Sequence, residues 1–329
     1  MSFLDTALSE EDTSPVRILE PGEIDPRFLR MSYSSELGLH ECPRRFQLGK
    51  LQADSIHDYN TEITFSYGHV IGEGIQQYLI TRDWNKTVWA MFTTWHTETW
   101  AENEKQKKSL LSAIGCLMQF VDLVDAGMFD DYEVAYINGK PAAELSFCIQ
   151  FPRVQYRGYV DLVLRHIITG ELLVLELKTS SANYVNHYNY KNSAQAIGYS
   201  VILDKIEPGC TSYNVQYLVW MTKLNRFEPF DFPKSMTQRA LWLQDRLWDE
   251  ETLERMLERF GNYGNWPTHG ESCTNFGRVC PYMDFCHQPT ESLMSLLREK
   301  HYKDLRKNLA GEWEEAKYDF YIDFEELLA

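Results

Sequence analysis

The chain has 329 residues, of which 32 are Lys or Arg and 48 are Asp or Glu, giving a formal net charge of −16. With 44% apolar and 24% charged residues it has ordinary globular composition and enough chain for one large or two modest domains, which excludes overall disorder, collagen and a disulfide miniprotein. The acidic total argues against adhesion to nucleic acid by bulk charge, so a polyanion site here must rely on metal or on geometry.

No stretch approaches the roughly 20 apolar residues of a membrane span, and the start, MSFLDTALSEEDTSPVR, lacks a basic region followed by an apolar one. The expectation is a cytoplasmic protein without membrane contact. Residues 1–30 carry Glu, Asp and Pro with little periodicity and read as an irregular arm. From Met31 the segment SSELGLHECPRRFQLGKL predicts a short helix with Ser34 or Ser35 as N-cap and Cys42 inside it. Apolar residues recur at helical spacing over 65–80 and 85–128, so 31–130 is expected to be a helical region.

The pattern then changes to short apolar runs separated by turn residues: YEVAYI, AELSFCIQF, GYVDLVLRHI and ELLVLELKT. Ile168-Thr169-Gly170-Glu171 between the last two predicts a hairpin. A helix is expected over 188–203, a strand over 212–221 and an amphipathic helix over 237–260. The blocks that follow are a core at 131–265, a cysteine-rich segment at 266–290 and a helical acidic tail at 291–329. The tail holds seven carboxylates between Glu312 and Glu326 interleaved with Trp313, Phe320, Tyr321 and Phe324. It reads as a solvated terminal helix, with docking of a protein partner as the alternative.

Side chains two apart on a strand share a face. Glu176 and Lys178 therefore point together, and the hairpin can set Asp161 opposite them. Two carboxylates and an ammonium among Leu and Val are costly unless paired or bound to a cation. Two carboxylates make a hard oxygen site suited to magnesium or manganese, and the lysine can orient the attacking water, a set suited to phosphodiester hydrolysis. Taken alone, an E-x-K triplet more often marks a surface ion pair. On the next helix Tyr188, Lys191, Gln195 and Tyr199 fall at spacings of three and four and form one polar stripe able to hold phosphate oxygens. Cys273, Cys280 and Cys286 are spaced C-x6-C-x5-C, and Cys42 in HECPRRF lies in a comparable polar setting. Four thiolates suit either an iron-sulfur cluster or tetrahedral zinc, and the spacing does not choose. Cys116, Cys148 and Cys210 read as ordinary small apolar residues.

The order G-Y-V-D, E-L-K-T and Q-A-I-G-Y, within Ser32 to His287, resembles the PD-(D/E)XK nucleases, specifically the RecB-like branch. The resemblance implies an α/β restriction-endonuclease-like core, a mixed central sheet flanked by helices, with a helical N-terminal insertion and a cysteine-ligated iron-sulfur domain. It implies a metal-dependent DNA exonuclease or end-processing nuclease of recombination, repair or phage DNA metabolism, using Mg or Mn. Asp161, Glu176 and the backbone carbonyl of Leu177 are the implied metal ligands, Lys178 the catalytic lysine, Gln195 and Tyr199 its support, and Tyr188 and Lys191 the contacts to DNA. The family's Gly-x-x-x-His pattern meets Gly68 followed by Gly72 here, so the expected histidine is absent and either Glu73 or His69 takes its place. The layout of one cysteine before the core and three after it is similar to AddB-type and CRISPR-associated RecB-like nucleases. It implies a [4Fe-4S] cluster on Cys42, Cys273, Cys280 and Cys286, with structural zinc as the alternative; His287 reads as a surface or supporting residue. No G-x-x-x-x-G-K-[ST] motif is present, so the expected substrate is single-stranded DNA or duplex ends. Two other classes remain: a weakly active or inactive binding module on the same fold, and an acidic DNA mimic.

Overall fold

The computed structural model describes residues 29–50, 59–95, 108–152, 154–261, 264–275, 278–280, 282–284, 286–289 and 318–327. They group into two compact units that alternate along the chain, instead of the consecutive blocks suggested by sequence. One comprises the residues up to 56, 147–158 and those from 244 onward; the other comprises 57–146 and 159–243.

In the first unit, strand β1 (Leu29–Met31) pairs in parallel with Val154, Gln155 and Tyr156. Helix α1 (Tyr33–Glu41) follows. Its N-cap is Ser32, whose hydroxyl accepts the Ser35 N–H at 3.4 Å, so the cap lies two residues earlier than Ser34. The single helix expected around Cys42 is broken there. Cys42 is extended, and Pro43, a residue suited to a first helical turn, opens α2 (Pro43–Lys50).

The second unit begins with α3 (Tyr59–Thr81), α4 (Trp84–Thr94) and α5 (Leu110–Asp125). Asp83 caps α4 and Ser109 forms a capping box with Ser112 on α5. The strands follow: β2 (Tyr132–Val134), the small pair β3 (Tyr136–Ile137) and β4 (Lys140–Pro141), β5 (Ala143–Gln150), β6 (Val154–His166) and β7 (Leu172–Ser180). Strands β6 and β7 are antiparallel, as the hairpin signal predicts, with Leu162 opposite Leu175. Helices α6 (Tyr188–Lys191) and α7 (Ala194–Ile206) lead to β8 (Ser212–Met221), which runs parallel to β7. A parallel neighbour requires a crossover, and α7 supplies it. Strand β9 (Arg226–Ser235) then pairs antiparallel with β8 as the last strand of its sheet. It is absent from the sequence expectation because Pro229 and Pro233 interrupt it, and an edge strand is where a sheet tolerates proline. Within this unit the sheet is therefore mixed.

Leu162, Leu164, Leu173, Leu175, Leu218 and Trp220 pack with residues of α3, α4 and α5 into one core. Each such leucine contributes about 1.5–3 kcal/mol by its burial. Because strand faces alternate, that packing turns positions 161, 176 and 178 to the other face. There, an added Cβ at Gly198 of α7 would meet Cζ2 of Trp242 at 2.9 Å, so glycine permits the close seat of the helix that carries Gln195 and Tyr199.

The chain continues into α8 (Met236–Phe260), a short 3-10 turn over Gly270–Cys273 and the hairpin of β10 (Thr274–Asn275) and β11 (Arg278–Val279), which belong, from residue 244, to the first unit. In the tail, β12 (Phe320–Asp323) pairs in parallel with Phe147 to Gln150, and a 3-10 turn follows over Phe324–Leu327. The helical tail expected from sequence is thus replaced, where described, by a strand that buries Ile322 and Phe324, the latter ring 4.9 Å from Phe151. Residues 1–28 of the expected arm and 291–317 of the expected tail lie outside the described residues.

Candidate active site

Extending the register of β6 and β7 by one position sets Asp161 opposite Glu176. The Oδ2 of Asp161 accepts the N–H of Leu177 at 3.0 Å. Lys178 forms an ion pair with Oε1 of Glu176 and donates to Oε1 of Gln195 at 3.1 Å. Gln195 Nε2 in turn donates to the Tyr199 hydroxyl at 2.6 Å, one helical turn on. The structure thus joins Asp161, Glu176, Lys178, Gln195 and Tyr199 in one connected set.

Glu176 is 0% exposed; its Oε1 is paired with the Lys178 ammonium, and its Oε2 makes no hydrogen bond among the described residues. Burial pushes its carboxyl up to about 8, and the neighbouring Asp161 charge adds to the shift. Burial also raises the Asp161 carboxyl, against the pull of Lys178 and of the Leu177 N–H. For Lys178, burial acts against the ammonium, but the Glu176 and Asp161 charges outweigh it and hold the lysine protonated. Two carboxylates beside one ammonium leave an excess negative charge in a buried place, so without a cation the pair retains a proton. A buried carboxylate pair with one oxygen, Oε2 of Glu176, lacking a donor fits a divalent oxygen-seeking metal. Asp161 and Glu176 are the residues that would hold it.

Asp161, Lys178 and Thr179 border a cleft of about 750 Å³, whose other wall is α3, through Gly68, His69, Gly72 and Gln76. Of the two residues expected to replace the missing histidine, His69 lines this cleft and Glu73 does not. Two further lining residues escaped sequence reading. Gln76, 3% exposed, donates from Nε2 both to Oε1 of Glu144 on β5 and to the backbone carbonyl of Asp161, each at 2.9 Å. Glu144 occupies the left-handed region at φ +47°, and burial raises its carboxyl against the Gln76 hydrogen bond, with Asp161 and Glu73 adding to the rise. The only sequence signal for Gln76 is its position eight residues after Gly68, on the same helical face. Glu144 has none, since a Glu alternating with Leu145 and Phe147 reads as a solvated strand face.

The polar stripe expected on Tyr188, Lys191, Gln195 and Tyr199 is not continuous. Asn192 and Ser193 break the helix, leaving Tyr188 and Lys191 exposed on α6, whereas Tyr199 is buried beneath Gln195 on α7. Tyr188 and Lys191 do not line the cleft.

The four cysteines of the expected cluster are free and belong to the first unit. The Cys280 N–H donates to the Cys273 carbonyl at 2.8 Å. The Cys286 thiol lies within electrostatic reach of Cys273, Cys280 and Cys42, and Cys280 and Cys286 pack beside Leu48 and Tyr282. Burial raises both of these thiols. Arg44, wholly buried, donates to the carbonyls of Cys286 and Gln288 at 2.9 Å each and faces the Cys42 and Cys286 thiols. His287 is exposed. Cys116 and Cys148 are buried as expected, but Cys210 is exposed, in the turn after Pro208 and Gly209, and is not a core residue.

Among the described residues a single group, Glu36, His40 and Asp249 in the first unit, has three ligand atoms within 4.8 Å of one another; the four cysteine thiols do not. Arg246 pairs with Glu36 and, at 3.0 Å, with Asp249, so this group is a buried ion network that already has its cation. Among the described residues no helix is long and apolar enough to cross a membrane.

A family model described as the PD-(D/E)XK nuclease superfamily matches residues 30–287. No curated protein matches. Among solved structures, one titled "Crystal structure of SSO0001" aligns over 82% of this chain and 88% of its own with 14% identity and a TM-score of 0.33, too weak a likeness to carry an argument.

Proposed function

Because the chain belongs to the PD-(D/E)XK nuclease superfamily, we propose that it is a magnesium- or manganese-dependent deoxyribonuclease of the RecB-like branch, an exonuclease or end-processing enzyme. The observation that carries this reading is the buried Asp161–Glu176–Lys178 set, with Oε2 of Glu176 free of hydrogen bonds among the described residues. A bound Mg²⁺ or Mn²⁺ supplies a Lewis acid for the scissile phosphate and lowers the pKa of a coordinated water. Asp161 and Glu176, with the Leu177 carbonyl, hold that ion. Lys178 orients the attacking water and offsets the charge that develops on the phosphate. Gln195 accepts a Lys178 proton and so fixes the ammonium, while Tyr199 fixes Gln195. Tyr188 and Lys191, exposed beyond the helix break, are proposed contacts for the DNA backbone.

We assign Cys42, Cys273, Cys280 and Cys286 to a [4Fe-4S] cluster, with zinc as the alternative. A ligand set drawn from both ends of the sequence closes a very long loop, so its role is to staple the first unit. Anaerobic purification followed by iron, sulfide and zinc analysis distinguishes the two metals, and Cys286→Ser should lose the bound metal.

The test of the activity is incubation with end-labelled linear and covalently closed circular DNA, single-stranded and duplex, with Mg²⁺ or Mn²⁺ and with a chelator. Metal-dependent shortening of linear DNA alone supports end processing, and cutting of circles points to an endonuclease. Binding without any cleavage moves the chain to the class of DNA-binding modules.

A further inference from the structure

We infer that Glu144 is a third acidic residue of the metal centre, on the side of the cleft where the sequence suggested Glu73 or His69; this rests on the reading of Asp161 and Glu176 as metal ligands. Three observations converge on it. Glu144 borders the same cleft as Asp161 and Lys178, which Glu73 does not. A single buried amide nitrogen, Nε2 of Gln76, holds the Glu144 carboxylate and the Asp161 backbone together, at 2.9 Å from each. The remaining carboxylate oxygen of Glu144 has no hydrogen bond of its own recorded among the described residues.

The backbone supplies a further observation. Glu144 sits at φ +47° inside a strand, a conformation strained for a non-glycine residue. Neighbouring Gly72, on the facing wall, leaves open space where a side chain would be. A strained carboxylate beside an empty wall, anchored by a dedicated amide, is placed to act on a cation. Magnesium usually retains several waters and takes only one or two carboxylates directly. Asp161 and Glu176 would hold the ion directly, and Glu144 would act on it through its water shell, raising its affinity.

The test is Mn²⁺ binding to the purified full chain, measured calorimetrically and by the loss of the free-ion paramagnetic resonance signal, for wild type, Glu144→Gln, Glu144→Gly and Asp161→Asn. Glutamine keeps an oxygen for Gln76, and glycine accommodates the left-handed backbone, so either variant gives a folded protein whose melting temperature can be compared with wild type. Both should weaken Mn²⁺ by at least about 10-fold without lowering the melting temperature, and Asp161→Asn should weaken it more. Wild-type affinity in both Glu144 variants, with binding lost in Asp161→Asn, overturns this inference and leaves the proposed metal site standing. Wild-type affinity in Asp161→Asn as well overturns both.

Discussion

The carboxylate of Asp161 accepts the backbone N–H of Leu177 at 3.0 Å, so the strand that carries Glu176 and Lys178 also aims the carboxylate opposite them. Asparagine keeps an oxygen for that N–H but carries no charge. Asp161→Asn should therefore retain the fold while lowering metal-dependent cleavage by more than about 100-fold, the upper range for losing merely a supporting group. Circular dichroism beside single-turnover cleavage checks both halves.

Metal binding should depend on pH through Glu176. Its carboxyl is pushed up to about 8 by burial, and a metal must displace that proton. Affinity for Mg²⁺ should rise from pH 6 through about 8 and level off above it. The same shift makes the metal-free fold bind more protons than the unfolded chain between the ordinary carboxylate range and about 8, so this group's contribution to stability falls as pH rises across that window. Calorimetric Mg²⁺ titrations at a series of pH values test the first statement, and denaturant melts without metal test the second.

The Lys178–Gln195–Tyr199 relay predicts graded effects. Gln195→Ala removes the acceptor that fixes the ammonium and should reduce turnover by about 10–100-fold, at a stability cost of about 1 kcal/mol. Tyr199→Phe, which removes only the next link, should cost less activity. Equal losses in the two variants would break the proposed order of the relay.

Lys234 offers an independent reading of the electrostatics. It is buried on β9, donates to the Lys191 carbonyl at 2.5 Å and, more weakly, to the Tyr190 carbonyl at 3.5 Å, and burial lowers its ammonium to about 8. Above about 8 the folded chain has lost a proton that the unfolded chain keeps up to its ordinary value of 10.5. The unfolded state then binds more protons, so stability from this group rises with pH across that interval. Melts of wild type against Lys234→Met should show the wild type gaining on the variant between pH 8 and 10.

The nuclease strands were legible because two local signals agree. Period-two alternation puts Glu176 with Lys178, and Ile168-Thr169-Gly170-Glu171 closes a hairpin that brings Asp161 across. Local pattern carries no information about long-range pairing, so the parallel additions of β1 to β6 and β12 to β5, and with them the alternation of the two units along the chain, were invisible. Strand β9 was hidden by Pro229 and Pro233, which its edge position tolerates. Gln76 and Glu144 were missed for a related reason: each looks like an ordinary surface residue of its own element, and only the fold joins them at Asp161.

The most direct measurement is single-turnover cleavage of end-labelled DNA by anaerobically purified wild type and Lys178→Ala, each with saturating Mg²⁺ and with chelator. The account predicts Mg²⁺-dependent products from the wild type, their loss with chelator, and a fall of more than about 100-fold in Lys178→Ala with Mg²⁺ binding retained. Cleavage by Lys178→Ala at the wild-type rate, or products that persist in chelator, would contradict it.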